Sequence, residues 1–260
     1  MFRLGDFAFD RMISATAEYK NEIQYVISQM QSATIDVTAE AKEVKDKDGN
    51  LVRKIYNAKT GTLTAPNAML NINILNASSG NELEVASATK PINMPKIVYV
   101  KAGETVTLTD YVDGTVKVKA VYGNGASGSS YAQATAASET EFGLTEDGVL
   151  TPPTVTGDDA PTKFLVKYYR RRETGVVVRN SADKFPAAVE LTIKAVYVAP
   201  CEEGVKAAYI YIPNFNVSPE VSIDTNTDST LEYKGDLGVN LCADTKDLYV
   251  IYFPDDEEEE

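Results

Sequence analysis

Histidine and tryptophan are absent from the 260 residues, and cysteine occurs only twice. Without histidine the commonest general base and a principal zinc ligand are missing. Cys201 and Cys242 cannot complete a zinc site alone, and they can form at most one disulfide. Nothing in the sequence points to an oxidising compartment, so the expectation is two reduced, structural thiols packed as small apolar groups. Long apolar runs are also missing. No stretch reaches the roughly 18 apolar residues of a membrane span. The first residues (Met1, Phe2, Arg3, Leu4, Gly5, Asp6) lack the apolar region of a signal peptide. Positive charge is in deficit: 25 Lys and Arg against 38 Asp and Glu leave −13. Such a chain lacks the basic footprint needed to grip nucleic acid.

What is present points to a β protein. Hydrophobic residues make up 43% of the chain, which excludes a disordered one. The length allows one large β domain or two small ones with a sizeable core. Charge is uneven. Residues 1–130 hold 14 basic and 14 acidic side chains; residues 131–260 hold 11 and 24. Six of those acids form the terminal run 255–260, which reads as a solvated tail.

The densest strand signal lies in residues 189–253. It divides into runs 189–198, 205–212, 230–242 and 248–253, with a tight connection at 200–204 and a break at Pro213 and Asn214. In the third run Leu231, Tyr233, Leu237, Val239 and Leu241 alternate with Glu232, Lys234, Asp236 and Asn240, the period of a sheet with one wet face. The other three runs are apolar on both faces and need cover on both. The rest of the chain can supply one cover and another copy of the chain the second.

Earlier segments extend the pattern. Residues 11–25 fit either a helix or an extended arm, and residues 26–30 look strand-like. Ile35, Val37, Ala39 and Ala41 alternate with Asp36, Thr38, Glu40 and Lys42. A second run over 51–56 follows the Asp48-Gly49 pair, which marks a hairpin turn because Gly accepts positive φ. Residues 66–80 predict the one helix, with Pro66 and Asn67 at its start, Met69, Leu70, Ile74 and Leu75 toward a sheet, and Gly80 as its stop. Strands are expected again at 96–100, 104–108, 115–122, 163–170 and 176–178. Residues 123–130 and 151–161 read as flexible loops, and 131–138 as an edge strand or a short helix. About a dozen strands at short spacing favour an antiparallel sandwich or barrel over βαβ units.

Motifs that carry chemistry fail on inspection. Residues 46–50 imitate the start of a calcium loop, but the required Gly falls one position early and position twelve is Asn57 instead of Glu. Gly123-x-Gly125-x-x-Gly128 follows a strand, yet no amphipathic helix and parallel strand come after it, so a mobile loop is expected. Ser87-x-x-Lys90 and Lys59-Thr60-Gly61 stand in the wrong order for penicillin-recognising enzymes. Arg170, Arg171 and Arg172 are the only basic cluster and either cap a strand end or dock an acidic neighbour. No cofactor, metal or catalytic residue is expected, and no enzyme.

The order of elements carries a resemblance. It consists of a long hairpin over 35–56, then Thr60-Gly61-Thr62-Leu63-Thr64-Ala65, a short helix ending near Ser79-Gly80, a strand pair around 200–204, Pro213-Asn214-Phe215, and a closing pair ending in Leu248-Tyr249-Val250-Ile251-Tyr252. This resembles the tail tube proteins of tailed bacteriophages over residues 30–90 and 185–253. The resemblance implies a mainly β fold, an antiparallel two-sheet sandwich or barrel with one short flanking helix. It implies a structural virion protein that assembles as stacked, hexameric rings, with inner strands lining a channel for DNA. The partners expected are the chain itself and other tail proteins such as a sheath, terminator or baseplate component. DNA would pass without specific binding, and no membrane would be engaged. Assembly would take place in the host cytoplasm. The implied division is an N-terminal arm at 1–32, a tube-like β domain at 33–94 and 186–254, an insertion or enlarged loop at 95–185, and an acidic tail at 255–260. Glu40, Glu43 and Glu190 are the candidate lumen-facing acids. The alternative is a capsid decoration or adhesin-like β-sandwich.

Overall fold

The computed structural model describes residues 5–28, 30, 32–67, 69–157, 160–200, 204–225, 230–241 and 243–254. The two cysteines, the centre of the 200–204 connection and the acidic run 255–260 lie outside the described residues. The fold is mainly β with antiparallel sheets and one short helix, as the strand periodicity implies. In chain order the elements are β1 (Ala8–Tyr19), β2 (Glu22–Ile27), β3 (Thr34–Lys45), β4 (Leu51–Asn67), α1 (Ile72–Ser79), β5 (Glu84–Val85) and β6 (Ile92–Lys101). Then come β7 (Val106–Thr107), β8 (Lys117–Val121), β9 (Ser127–Ala134), β10 (Glu141–Leu144), β11 (Val149–Thr151), β12 (Lys163–Arg172) and β13 (Val176–Val177). The closing strands are β14 (Val189–Val198), β15 (Lys206–Val217), β16 (Leu231–Leu237) and β17 (Val250–Tyr252). No helix among the described residues is long and apolar enough to cross a membrane.

The chain forms two compact units, residues 1–83 with 178–260, and residues 84–177. The first is built on one sheet in the order β2-β1-β14-β15-β16-β4-β3, with β17 also pairing β15. Residues 11–25 are therefore strand, not helix: β1 pairs β14 from Ala8↔Val198 to Glu18↔Glu190. The sheet is nearly closed and barrel-like. Met30 bridges to Asn67, and the Tyr25 hydroxyl on β2 meets the Tyr233 hydroxyl on β16 at 2.8 Å. Leu63, Ile74, Leu191, Ile212, Phe215 and Tyr233, at most 1% exposed, fill the interior. Burying an aliphatic or aromatic side chain of this size stabilises by about 1.5–3 kcal/mol.

Two local expectations are corrected. The helix begins at Ile72, because Pro66 and Asn67 end β4, where Pro66 pairs Glu232. β3 ends opposite Thr64, so Pro66 has a strand neighbour on one side only, where its missing N–H is tolerated. Met69 and Leu70 precede the helix and are exposed, whereas Ile74 and Leu75 reach the core. Asn71 caps the helix by accepting from the Asn73 amide at 2.8 Å, and Gly80 ends it at φ +65°, with the Phe185 carbonyl carbon 2.3 Å from where a Cβ would stand. The second correction concerns Pro213 and Asn214, which do not end a strand. They lie inside β15 beside a register shift between Val189 and Leu191 of β14, where a residue without an N–H costs no regular rung.

The second unit has its own core, in which Phe142, Leu150, Phe164, Val166 and Tyr168 are at most 1% exposed. Its main sheet runs β6-β12-β8-β9-β10-β11-β7. The Gly123 to Gly128 stretch is a tight hairpin turn that leads into β9. Gly125 has φ +84°, its N–H donates to the Tyr122 carbonyl at 2.9 Å, and antiparallel β9 follows directly. That connection leaves no helix to cradle a pyrophosphate.

Candidate functional site

The most unusual local structure is the β3–β4 ribbon. β4 pairs β16 only from Gly61 to Asn67, while its pairing with β3 continues outward to Lys45↔Leu51. Residues 51–60 therefore form, with residues 38–45 of β3, a two-stranded arm about 34 Å long at 3.4 Å per residue. Every residue of β4 from Leu51 to Thr60 is exposed. Tyr56, Lys54 and Val52 alternate with Ile55, Arg53 and Leu51, so both faces of the arm carry apolar groups. Val52 is 65% exposed and Tyr56 66%. An isolated two-stranded hairpin is marginal in water.

The tip is organised by Asp46. Its Oδ1 accepts from the amides of Asp48 (2.9 Å) and Asn50 (2.8 Å), and its Oδ2 accepts from the Asn50 side chain at 3.1 Å. Gly49, at φ +87°, completes the turn. The Asn50 hydrogen bonds hold the Asp46 carboxyl below the usual carboxylate range. The carboxylate that imitates a calcium ligand is thus spent on the turn.

Nearer the sheet, the outward face of β3, β4 and β16 is polar. Thr62 stands opposite Asp36 on one side and Asp236 on the other, all three exposed. Thr34, Thr38, Thr60, Thr64 and Glu232 lie on the same face, and the Thr38 and Thr60 hydroxyls are 3.1 Å apart. Lys234 is the cation among them, and it bonds Glu220 at 3.0 Å. The alternation read in the sequence holds over β16, where Leu231, Tyr233 and Leu237 are buried while Glu232 and Asp236 are exposed, but the strand ends at Leu237 and Leu241 is 82% exposed.

The three acids singled out from the sequence fall in two places. Glu40 sits at the register shift between Ala39 and Ala41 in the arm. Glu43 lies farther out, 3.3 Å from Lys54 and 3.4 Å from Lys45, so its charge is locally balanced. Glu190 is on β14 and accepts from the Tyr211 hydroxyl at 2.7 Å. Burial first, then the bond to Glu190 and its charge, push Tyr211 up to about 12. Asp36, Glu232 and Asp236 were not singled out. Their alternation with buried neighbours is visible in the sequence, but the pairing of β16 with β4 that groups them is not.

Other features belong to structure. A hollow of about 340 Å³ beside β1, β14 and β17 is lined by Phe9, Met12, Ile193, Ile210 and Ile251, and its charged pair, Asp10 and Arg11, is joined at 3.1 Å. Ser87 accepts from the Lys90 amide in a turn, and Lys59-Thr60-Gly61 lies within β4. Among the described residues no group of three or more acidic or sulfur ligands is arranged to hold a metal. Arg172 closes β12 by pairing with Asp110 at 3.3 Å, and Arg171 donates its backbone N–H to the Asp110 carbonyl.

A family model described as the YomU/Tube protein family matches residues 13–247. No curated protein matches the chain.

Proposed function

The chain belongs to the YomU/Tube protein family, and from that premise we propose that it is a structural virion protein that polymerises as stacked, six-membered rings into a phage tail tube. The tube is the conduit for DNA during ejection, and the chain performs no catalysis in it. Assembly takes place in the host cytoplasm, with a sheath, terminator or baseplate component as further partners. The observation that carries this reading is the β3–β4 arm, which presents apolar side chains on both faces with little cover within the chain. A second copy supplies that cover and removes the free edge of β3. We place the bore on the Thr-rich face bearing Asp36, Glu232 and Asp236, with Glu40 beside it. Glu43 contributes less field there because it is ion-paired, and Glu190 because it stands on β14, two strands away from β16. Carboxylates around a channel repel phosphates, so DNA slides instead of sticking.

Electron microscopy of the purified protein over a range of concentrations tests the proposal. Rings or tubes with a central hole are expected. A species that stays monomeric at every concentration, or a trimer that only attaches to a preformed shell, would overturn it; the second result is what a decoration protein would give.

A further inference from the structure

The second unit carries a segregated cationic face that is not part of the β3–β4 arm proposed as the tube joint. Residues 84–177 hold 10 basic and 11 acidic side chains, whereas the rest of the chain holds 15 and 27. Six of the ten basic ones converge on the outer side of β6, β12 and β8. Lys163 is opposite Lys101; Leu165 lies between Tyr99 and Lys119; Lys167 lies between Ile97 and Lys117; Tyr169 is opposite Pro95 and Arg171 opposite Asn93. None of these positions is acidic, and the alternating Phe164, Val166 and Tyr168 are buried on the inner side. The grid repeats at about 6.8 Å along each strand and about 4.8 Å between strands.

Six cations on such a lattice repel one another. Lys101 reaches Glu104 at 3.8 Å; among the described residues Lys117, Lys119, Lys163, Lys167 and Arg171 form no ion pair. Interleaved with them are Tyr99 (62% exposed), Ile97 (57%) and Tyr169 (40%), with the Lys163 ammonium 5.0 Å from the Tyr99 ring centroid. A depression of about 310 Å³ lies among Lys117, Lys119, Lys167, Leu165 and Ser130, and the core residues Val118 and Phe142 also line it. That volume is at the lower end of small-ligand sites.

We propose that the β6–β12–β8 face is a binding site for an acidic polysaccharide, with one anionic sugar seated in the depression between Lys117, Lys119 and Lys167 and the chain continuing over Tyr99. The charges call for a polyanion. Five of the six cations are lysines, point charges that make no demand for a planar bidentate partner. The exposed rings and aliphatic groups call for a ligand that also presents apolar faces, as sugar rings do and inorganic polyphosphate does not. Nucleic acid is disfavoured. Single strands bind along successive stacking rings, whereas here Ile97 and Lys167 separate the two tyrosines.

The test uses the full chain, so it is independent of whether rings form. Binding of polygalacturonate is measured by titration against dextran, polyphosphate and a single-stranded oligonucleotide, at two salt concentrations. Saturable, salt-sensitive binding of polygalacturonate and none of dextran is expected. The triple variant Lys117→Gln/Lys119→Gln/Lys167→Gln lowers affinity by on the order of tenfold or more and flattens the salt dependence. Tyr99→Ala weakens polygalacturonate about threefold, a loss of the size expected for one exposed ring contact, and leaves polyphosphate unchanged. Absence of polygalacturonate binding overturns the proposal. So does equal affinity for polyphosphate with no effect of Tyr99→Ala, tighter binding of the oligonucleotide, or a triple variant that loses self-association, which would assign the face to a second copy.

Discussion

Replacing Val52 and Tyr56 by threonine separates folding from assembly. Both side chains lie on one face of the β3–β4 arm, 65% and 66% exposed. Threonine is β-branched and keeps the strand preference. Because so little of either group is covered within the chain, the folding free energy changes by no more than about 0.5 kcal/mol. On assembly the exposed two thirds become covered. Full burial of such groups stabilises by about 1.5–3 kcal/mol each, so the pair contributes roughly 3 kcal/mol per junction. That is about a hundredfold in the association constant. Denaturant unfolding at a concentration where the native protein is dissociated gives the first quantity; sedimentation velocity against concentration gives the second. The reasoning fails if the variant assembles at the native concentration, which would remove the arm from the joint. It fails equally if the variant loses 2–3 kcal/mol of folding stability, which would mean that the arm is covered within one chain.

Other expectations concern stability. Gly235→Ala costs about 3 kcal/mol by denaturant unfolding, because the new Cβ would stand 2.3 Å from the Asn216 carbonyl oxygen between β15 and β16. Tyr233→Phe leaves the part-buried Tyr25 hydroxyl without its 2.8 Å partner and costs about 1–2 kcal/mol by the same measurement. Burial pushes Tyr25 up to about 12 and Tyr233 well above the ordinary tyrosine value. Both therefore ionise earlier in the unfolded chain, and their stability contribution is intact below pH 10 and is lost between pH 10 and about 12. Thermal melts across that range, with tyrosine absorbance followed in parallel, should show the decline, and Tyr233→Phe should flatten it. Asp46→Ala loosens the arm tip, seen as faster amide exchange at Asp48 and Asn50 with the global melting temperature unchanged. Because the Asp46 pKa is lowered in the folded chain, this local order is present above the ordinary carboxylate range and fades as pH falls through the lowered value.

Within β16 the order of residues alone sets which side chains turn inward. Leu231, Tyr233 and Leu237 alternate with polar neighbours whatever β16 pairs with, since a strand sends successive side chains to opposite faces. Asp48-Gly49 set the hairpin, and Gly80 the helix end, because each meets a local backbone requirement. The tertiary structure decided what lies beside what. Pro66 belongs to β4 because Glu232 of a distant strand pairs with it, overriding a local helix-start signal. Pro213 continues β15 because a register shift absorbs its missing donor. Asp36, Glu232 and Asp236 share a face only once β16 lies against β4, and the lysines of β8 and β12 form a grid only once those strands pair. Periodicity records a residue's own exposure, whereas neighbourhood is set by hydrogen bonds between segments far apart in the chain, which no local pattern encodes.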